Sequence, residues 1–354
     1  MEMDLKNIQW GEFEIGEEFF VKNSKAYHKT DLKETKNNGI SYISRTNLNN
    51  GLESIVKNDN FKLNKKNTIV FGAENATFFY QPNEYITGNK MYYIESDKLN
   101  KYSSLFIQMM LNKSIVSCGF GYGKGLIGSR VQKRFVQLPI NSKGEPDYVF
   151  MEQFMRQKEQ EKITKFQNYI AKRIEQVKDY KEVKPLNQIE WGEFFIEDLF
   201  NTKIGKSIDG NKINKASGKI AYITRKESNN GLDGFIKNDI NFLNKDFPVI
   251  TIGNETAEPF VQLYPFFTGT KVNILNPKNK VSRYSLTFIS ECLKKHKVKY
   301  SYSFTINSTR LKRQKILLPT DKNGQPDYDY MENYIKKLEY EKLTKYITRK
   351  TTNA

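Results

Sequence analysis

Two α+β domains in tandem, each closing on a long helix, are the architecture that the sequence predicts. Three observations predict it: a long internal repeat, short β-rich runs separated by Asn/Gly/Lys loops, and an amphipathic helical pattern at the end of each copy. The repeat is read first. Trp10-Gly-Glu-Phe-Glu-Ile15 returns as Trp191-Gly-Glu-Phe-Phe-Ile196, and Phe19 is answered by Phe200. Tyr42-Ile-Ser-Arg45, Asn49-Asn-Gly-Leu52 and Lys57-Asn-Asp59 recur as Tyr222-Ile-Thr-Arg225, Asn229-Asn-Gly-Leu232 and Lys237-Asn-Asp239. Ser129 to Arg134 matches Thr309 to Gln314, Leu138-Pro139 matches Leu318-Pro319, and Gly144-x-Pro-Asp-Tyr148 matches Gly324-x-Pro-Asp-Tyr328. The offset is 181 residues at the tryptophans and 180 thereafter. So long a period marks a duplicated domain, because solenoid repeats run roughly 20 to 50 residues.

Each copy changes character along its length. Ile40–Ser44, Thr68–Phe71 and Lys90–Ile94 read as strands, and the spacing of Leu105, Phe106, Met109 and Met110 predicts a helix around Ser103–Lys113. After Pro146-Asp147, a helix entry, the apolar residues Ile163, Phe166, Ile170, Ile174 and Val177 follow at steps of 3, 4, 4 and 3. One helix is expected from about 149 to 182, roughly 50 Å at 1.5 Å per residue, ended by Pro185. The second copy restarts it at Met331. Packed on each other, the two stripes would form an antiparallel coiled-coil-like spacer; alternatively each packs on its own domain. The expected divisions are a first domain at 1–148, a central helix at 149–184, a second domain at 185–328 and a last helix at 329–354.

Lys and Arg number 57 against 40 Asp and Glu, a formal charge of +17, so a polyanion is the expected partner and nucleic acid the first choice. No apolar run approaches the roughly 20 residues that span a bilayer, and the first residues carry no signal-peptide core, so no membrane role and a cytoplasmic location are expected. Cys118 and Cys292 stand far apart, as do His28 and His296, which argues against a disulfide framework, a zinc site or metal catalysis.

Catalytic motifs are scarce. The chain has no Pro-Pro pair, hence no Asn-Pro-Pro-aromatic or Asp-Pro-Pro-aromatic methyltransferase loop, and no Gly-x-x-x-x-Gly-Lys-Ser/Thr phosphate loop. Gly123-Lys-Gly-Leu-Ile-Gly128 fits Gly-x-Gly-x-x-Gly but runs into a basic segment, where a mobile loop approaching DNA suits it better than a nucleotide site. Pro146-Asp147 and Glu182-Val-Lys184 could be nuclease carboxylates, yet the first fits a helix entry and recurs at Pro326-Asp327 without a Glu-x-Lys.

These paired motifs, Trp-Gly-Glu-Phe-x-Ile, Tyr-Ile-(Ser/Thr)-Arg with Asn-Asn-Gly, the basic segment before Leu-Pro, and Gly-x-Pro-Asp-Tyr entering a helix, resemble the specificity (S) subunits of Type I restriction-modification systems and related Type II S-like subunits. The resemblance implies a pseudo-twofold molecule of two target-recognition domains, each reading one half of a split double-stranded DNA site. It further implies a non-catalytic chain that binds no cofactor itself. S-adenosylmethionine is expected on adenine-N6 methyltransferase partner subunits, two of them, and a restriction subunit is a further possible partner. Only nine residues precede Trp10, and the chain is short for the Type I form, so the Type II S-like form stays open. A stand-alone nuclease or a general basic nucleic-acid scaffold are the alternatives.

Phosphates demand Lys and Arg, and base edges demand Arg, Asn, Gln or Thr. Arg45, Asn49, Asn50, Arg225, Asn229 and Asn230 have that chemistry on loops, although Asn-Asn-Gly also makes a good turn for its own sake. Arg130, Lys133 and Arg134, with Tyr122 and Lys124 nearby, are expected to meet phosphates, as are Arg310, Lys312 and Arg313 with Tyr300 and Tyr302. Base reading is expected where the copies differ, at Lys22–Lys36 against Lys203–Lys215, or Ala73–Gln81 against Asn254–Gln262.

Overall fold

The computed structural model describes residues 3–301 and 303–352, with side chains as far as Thr348. It divides into two compact units, Met1–Gln167 and Asn168–Ala354. The first contains β1 (Trp10–Glu14), α1 (Ile15–Glu18), β2 (Phe20–Asn23), β3 (Ile40–Ile43), β4 (Leu52–Val56), β5 (Thr68–Gly72), β6 (Phe78–Gln81), β7 (Tyr85–Thr87), β8 (Met91–Glu95), α2 (Lys101–Ser114), α3 (Gly128–Gln132), β9 (Phe135–Pro139) and the start of α4 (Tyr148–Val177). The second repeats that order: β10 (Trp191–Phe195), α5 (Ile196–Leu199), β11 (Phe200–Ile204), β12 (Ile220–Ile223), β13 (Leu232–Ile236), β14 (Val249–Gly253), β15 (Pro259–Gln262), β16 (Phe266–Thr268), β17 (Val272–Pro277), α6 (Arg283–Lys294), α7 (Ser308–Lys312), β18 (Lys315–Pro319) and α8 (Tyr328–Thr352).

Sheet topology is the same in both. A four-stranded antiparallel sheet runs β2-β8-β5-β6 in one unit and β11-β17-β14-β15 in the other. A three-stranded sheet, β4-β3-β7 or β13-β12-β16, joins an antiparallel to a parallel pairing, and both copies slip register at the same place, Tyr42/Ile43 and Tyr222/Ile223. The third sheet pairs the first and last strands of the domain: Trp10 opposite Pro139 through Glu14 opposite Phe135, and Trp191 opposite Pro319 through Phe195 opposite Lys315. Every residue of β5 and of β14 is buried, in keeping with the apolar Ile69–Phe71, and the one polar side chain at the start of β5, Thr68, bonds the Lys65 carbonyl at 3.0 Å.

Equivalence between the copies is less uniform than the sequence landmarks suggest. β5 and β14 begin at Thr68 and Val249, a step of 181, α2 and α6 at Lys101 and Arg283, a step of 182, and α3 and α7 at Gly128 and Ser308, a step of 180. Single-residue insertions and deletions in connecting loops account for this, and such loops absorb them at little cost.

The first turn of α2 explains its earlier start than expected. Asn100 caps it, accepting from the Ser103 amide at 3.1 Å, while the Ser103 hydroxyl accepts from the Asn100 amide at 2.9 Å. Phe106, Ile107, Met110 and Leu111 then face the main core with Ile69, Phe71 and Leu138. The Pro-Asp entries behave as read: Asp147 accepts from the Phe150 amide at 2.9 Å and Asp327 from the Tyr330 amide at 2.8 Å.

Both long helices begin inside their own domain. Met151 and Phe154 belong to the first core, Tyr330 and Met331 to the second. Each is also clamped by a cation over a tyrosine, Arg156 over Tyr102 at 4.1 Å and Lys336 over Tyr284 at 5.2 Å. Further along α4, Ile170 and Val177 are buried within the second unit, and Arg173 bonds Glu339 of α8 through Nε at 2.7 Å. From there the chain runs antiparallel to α8.

α4 stops at Val177, well short of Pro185, so its 30 residues span roughly 45 Å. The expectation of a helix to residue 182 is therefore corrected. The cause is tertiary: the Lys181 amide donates to the buried Asn333 side chain at 2.8 Å, and the Tyr330 hydroxyl donates to the Lys184 carbonyl at 2.8 Å. Side chains of α8 satisfy backbone groups that another helical turn would have used. Among the described residues no helix is long and apolar enough to cross a membrane.

Asn333 is the member of this junction least replaceable, since its amide nitrogen also donates to the Asp329 carbonyl at 2.8 Å. Asn333→Leu is expected to cost about 2 kcal/mol, read as a fall of several degrees in thermal melting of the full chain.

Candidate nucleic-acid interface

The Asn-Asn-Gly turn is the same object in both domains. Three consecutive residues are left-handed, Asn49, Asn50 and Gly51 at φ 49°, 56° and 78°, and Asn229, Asn230 and Gly231 at 51°, 57° and 74°. Asparagine tolerates that region better than other residues with a side chain, and glycine is free in it. The second asparagine also pins the turn to the neighbouring strand. Asn50 donates to the Tyr80 carbonyl at 2.7 Å while its own carbonyl accepts from Gln81 at 3.0 Å; Asn230 and Gln262 repeat the bond at 3.1 Å. Asn50 and Asn230 are therefore bonded into the fold, although all four asparagines are exposed.

Arg45 and Arg225 are committed as well. Arg45 is ion-paired to Glu74, which Lys90 also holds at 2.8 Å, and Arg225 is paired to Glu255, with Lys271 at 3.6 Å. The Lys90 bond, aided by Arg45, keeps the Glu74 carboxyl below the usual carboxylate range. Each cluster nonetheless carries one net positive charge at the domain surface.

Beside Arg45 lies an open groove of about 770 Å³, walled by Tyr27, His28 and Lys29 on one side and by Thr46, Leu48 and Asn49 on the other. The first wall belongs to Lys22–Lys36, one of the segments that differ between the copies. In the second domain that stretch is built otherwise: Lys206 donates to the Asn241 carbonyl at 2.8 Å, and Asp233 holds Lys215 at 2.6 Å as well as Lys226. The other differing segment behaves differently. In Ala73–Gln81 the largest changes, Phe78 against Pro259 and Tyr80 against Val261, involve side chains that in the first domain are 1% and 5% exposed. These two side chains thus fill the first domain's interior, whereas their counterparts Pro259 and Val261 line an open groove in the second.

The basic segment splits into anchored and exposed cations. Arg130 donates to the Gly125 carbonyl at 2.6 Å and Arg310 to the Thr305 carbonyl at 2.6 Å, the same loop clasp in both copies. Arg134 donates to the Ser114 carbonyl at the end of α2 at 2.7 Å, a cation closing the negative end of a helix, and lies over the Phe120 ring at 5.3 Å. Its counterpart is Gln314, which accepts from the half-buried Tyr300 hydroxyl at 2.9 Å. The side chains of Lys133, Lys312 and Arg313 are exposed with no hydrogen bond or ion pair among the described residues. Lys124 bonds the Cys118 carbonyl at 3.2 Å, Tyr122 is 90% exposed, and Tyr302 lies outside the described residues. Gly128 of the Gly-x-Gly-x-x-Gly sequence opens α3, a helix of five residues packed on Tyr92, and not the long helix of a nucleotide fold.

The model of the Type I restriction modification DNA specificity domain matches residues 7–181 and, a second time, residues 188–348. The chain belongs to that family. This specificity-domain protein is 50% identical over 153 residues to the Type II restriction enzyme BgcI specificity subunit S.BcgI of Heyndrickxia coagulans, a match covering 43% of this chain and 45% of that one. The aligned region thus spans less than half the length of that curated relative. Its fold is similar to that of the Type-I restriction-modification system S subunit from M. genitalium, with a TM-score of 0.57 and 16% identity over 99% of this chain and 95% of the other.

One cationic cluster of this specificity-domain protein went unremarked in the sequence. Lys294, Lys295, Lys297 and Lys299 crowd the end of α6 around His296, whose pKa burial and the lysines Lys299 and Lys295 pull below the ordinary value. Their run in the sequence was the available signal. Three of them are bonded: Lys294 and Lys297 each reach the buried Glu258 at 2.7 Å, and the Lys299 ammonium lies 3.1 Å from His296 Nδ1. Burial acts to raise the Glu258 carboxyl, but the two ammonium bonds outweigh it and hold it below the usual range.

Two outcomes are expected. Asn50→Ala should lower stability by about 2 kcal/mol, from left-handed strain plus a lost bond, and Asn50→Gly by less, both measured by chemical denaturation; an unchanged midpoint with altered site choice would mark a base reader instead. Because the folded pKa of Glu258 is depressed, its contribution is present above the ordinary carboxylate value of about 4.3 and fades as pH falls through the folded value. Glu258→Gln should therefore cost about 2 kcal/mol at pH 7 and the gap to wild type should close below about pH 4 in urea melts at each pH.

Proposed function

We propose that this chain is the non-catalytic specificity subunit of a restriction-modification complex. Each of its two domains reads one half of a bipartite DNA site, and the chain directs an adenine-N6 methyltransferase partner to that site. The observation that carries this is the duplicated specificity domain, matched twice and covering nearly the whole chain, in a protein with a net charge of +17. A split site suits it because the scaffold is repeated while the groove lining at Tyr27–Lys29 is not. Lys133, Lys312 and Arg313 supply phosphate contacts, which position the protein without reading sequence. S-adenosylmethionine belongs on the methyltransferase, of which two copies match two domains, and a restriction subunit completes the complex where one is encoded. The relative S.BcgI, named as a specificity subunit of a Type II restriction enzyme, supports the S-like form.

The test is co-expression with a neighbouring methyltransferase in a methylation-free host, followed by mapping of N6-methyladenine. A two-part motif is expected, and exchanging residues 185–328 for those of a homologue should change one half of it and spare the other. Purified chain that alone cut DNA, or alone methylated it, would sink the reading.

A further inference from the structure

We infer that Tyr122 is a base-stacking residue, a ring held out on a fixed hairpin to lie against a nucleobase of the bound duplex; the inference rests on the function proposed above. Gly121 and Lys124 exchange both backbone bonds, each 3.1 Å, so Tyr122 and Gly123 form a two-residue hairpin tip. The tip is open. Tyr122 is 90% exposed, and a Cβ built on Gly119, Gly121 or Gly123 would meet nothing within 4 Å, which leaves room for another molecule to approach the backbone closely.

The stem, by contrast, is fastened. Lys124 bonds the Cys118 carbonyl at 3.2 Å and lies 5.2 Å from the Phe120 ring, whose centre is also 5.3 Å from the Arg134 guanidinium. Leu126 is fully buried and its amide donates to the Ala73 carbonyl at 2.7 Å, and Arg130 clasps the Gly125 carbonyl. An isolated exposed aromatic is common on protein surfaces and by itself carries no meaning. Here the second copy makes the same reciprocal bonds between Ser301 and Phe304, both 3.1 Å, and its sequence has a tyrosine, Tyr302, immediately after Ser301 as Tyr122 follows Gly121.

The neighbourhood selects the occupant. Lys124, Arg130 and Arg134 give this edge a positive charge, which draws a polyanion and repels most basic surfaces. A phenol ring adds nothing to phosphate binding, but its face stacks on any base, so the cations would seat the backbone and the ring would meet a base. Both copies carry the tyrosine, so it serves holding or unstacking common to both half-sites, with sequence choice left to the differing walls.

The experiment uses the full chain assembled with the methyltransferase that modifies the mapped site, and a duplex carrying that site with 2-aminopurine placed at successive positions of one half. Wild type should change the emission at one position. Tyr122→Ala should lose that change and bind roughly tenfold more weakly, with an unaltered slope of log affinity against log salt, while Tyr122→Phe and Tyr122→Trp should keep both. Wild-type binding by Tyr122→Ala, or an equal loss in Tyr122→Phe, would overturn the assignment. So would failure of Tyr122→Ala to copurify with the methyltransferase, which would place the ring on a protein surface. Thermal melts should match for all four, since Tyr122 packs on nothing among the described residues. Wild type that failed to prefer the mapped duplex over a scrambled one would instead sink the functional reading itself.

Discussion

The antiparallel ladder between the first and last strands of each domain governs much of what surrounds it. Trp10 sits opposite Pro139 and Glu14 opposite Phe135, so roughly 120 residues of loops and strands begin and end at one place. The ladder seats Trp10 against Phe106 of α2, with ring centres 6.4 Å apart, and Phe106 meets Phe154 of the long helix at 5.8 Å. Trp191 and Phe288 repeat the contact at 6.2 Å. From the end of the ladder the chain turns once, bridging Ile140 to Pro146, and enters the helix with Asp147 as its cap. Position and direction of the helix start are thus fixed by the same strands that close the domain.

A second constraint divides residues that build the turn from those free to meet a ligand. Asn50 and Asn230 spend their polar groups on the adjacent strand, Arg45 and Arg225 theirs on Glu74 and Glu255. That bonding explains why the feature is the same in both domains. Lys133, Lys312 and Arg313 are exposed and make no side-chain bond among the described residues, whereas in the groove lining Lys29 is ion-paired to Glu53 and the Tyr27 hydroxyl accepts from the Lys62 amide at 2.9 Å.

Legibility in the sequence followed the locality of the cause. Asp147 and Asp327 as helix caps, the strands at Ile40 and Thr68, and the helix around Leu105 were readable because each depends on neighbours within a few residues. The bonded state of a cation was not. Arg134 and Lys133 are adjacent and alike in chemistry, yet one closes the end of α2 and the other faces solvent, a difference set by Ser114 and Phe120 some fifteen to twenty residues away. In Ala73–Gln81, likewise, divergence in the sequence does not say which side chains point into a core, as Phe78 and Tyr80 do.

The sequence by itself determined the duplication, the α+β character of each copy, the entry points of the helices and the charge that calls for a polyanion, because periodicity, capping and net charge are properties of residue order and composition. Tertiary structure decided where α4 ends, through Asn333 and Tyr330 taking over its backbone groups, and which arginines are bound rather than free. It also decided that Tyr122 stands almost fully exposed on a fastened stem. Those outcomes turn on partners distant in sequence, and only folding brings them within bonding distance.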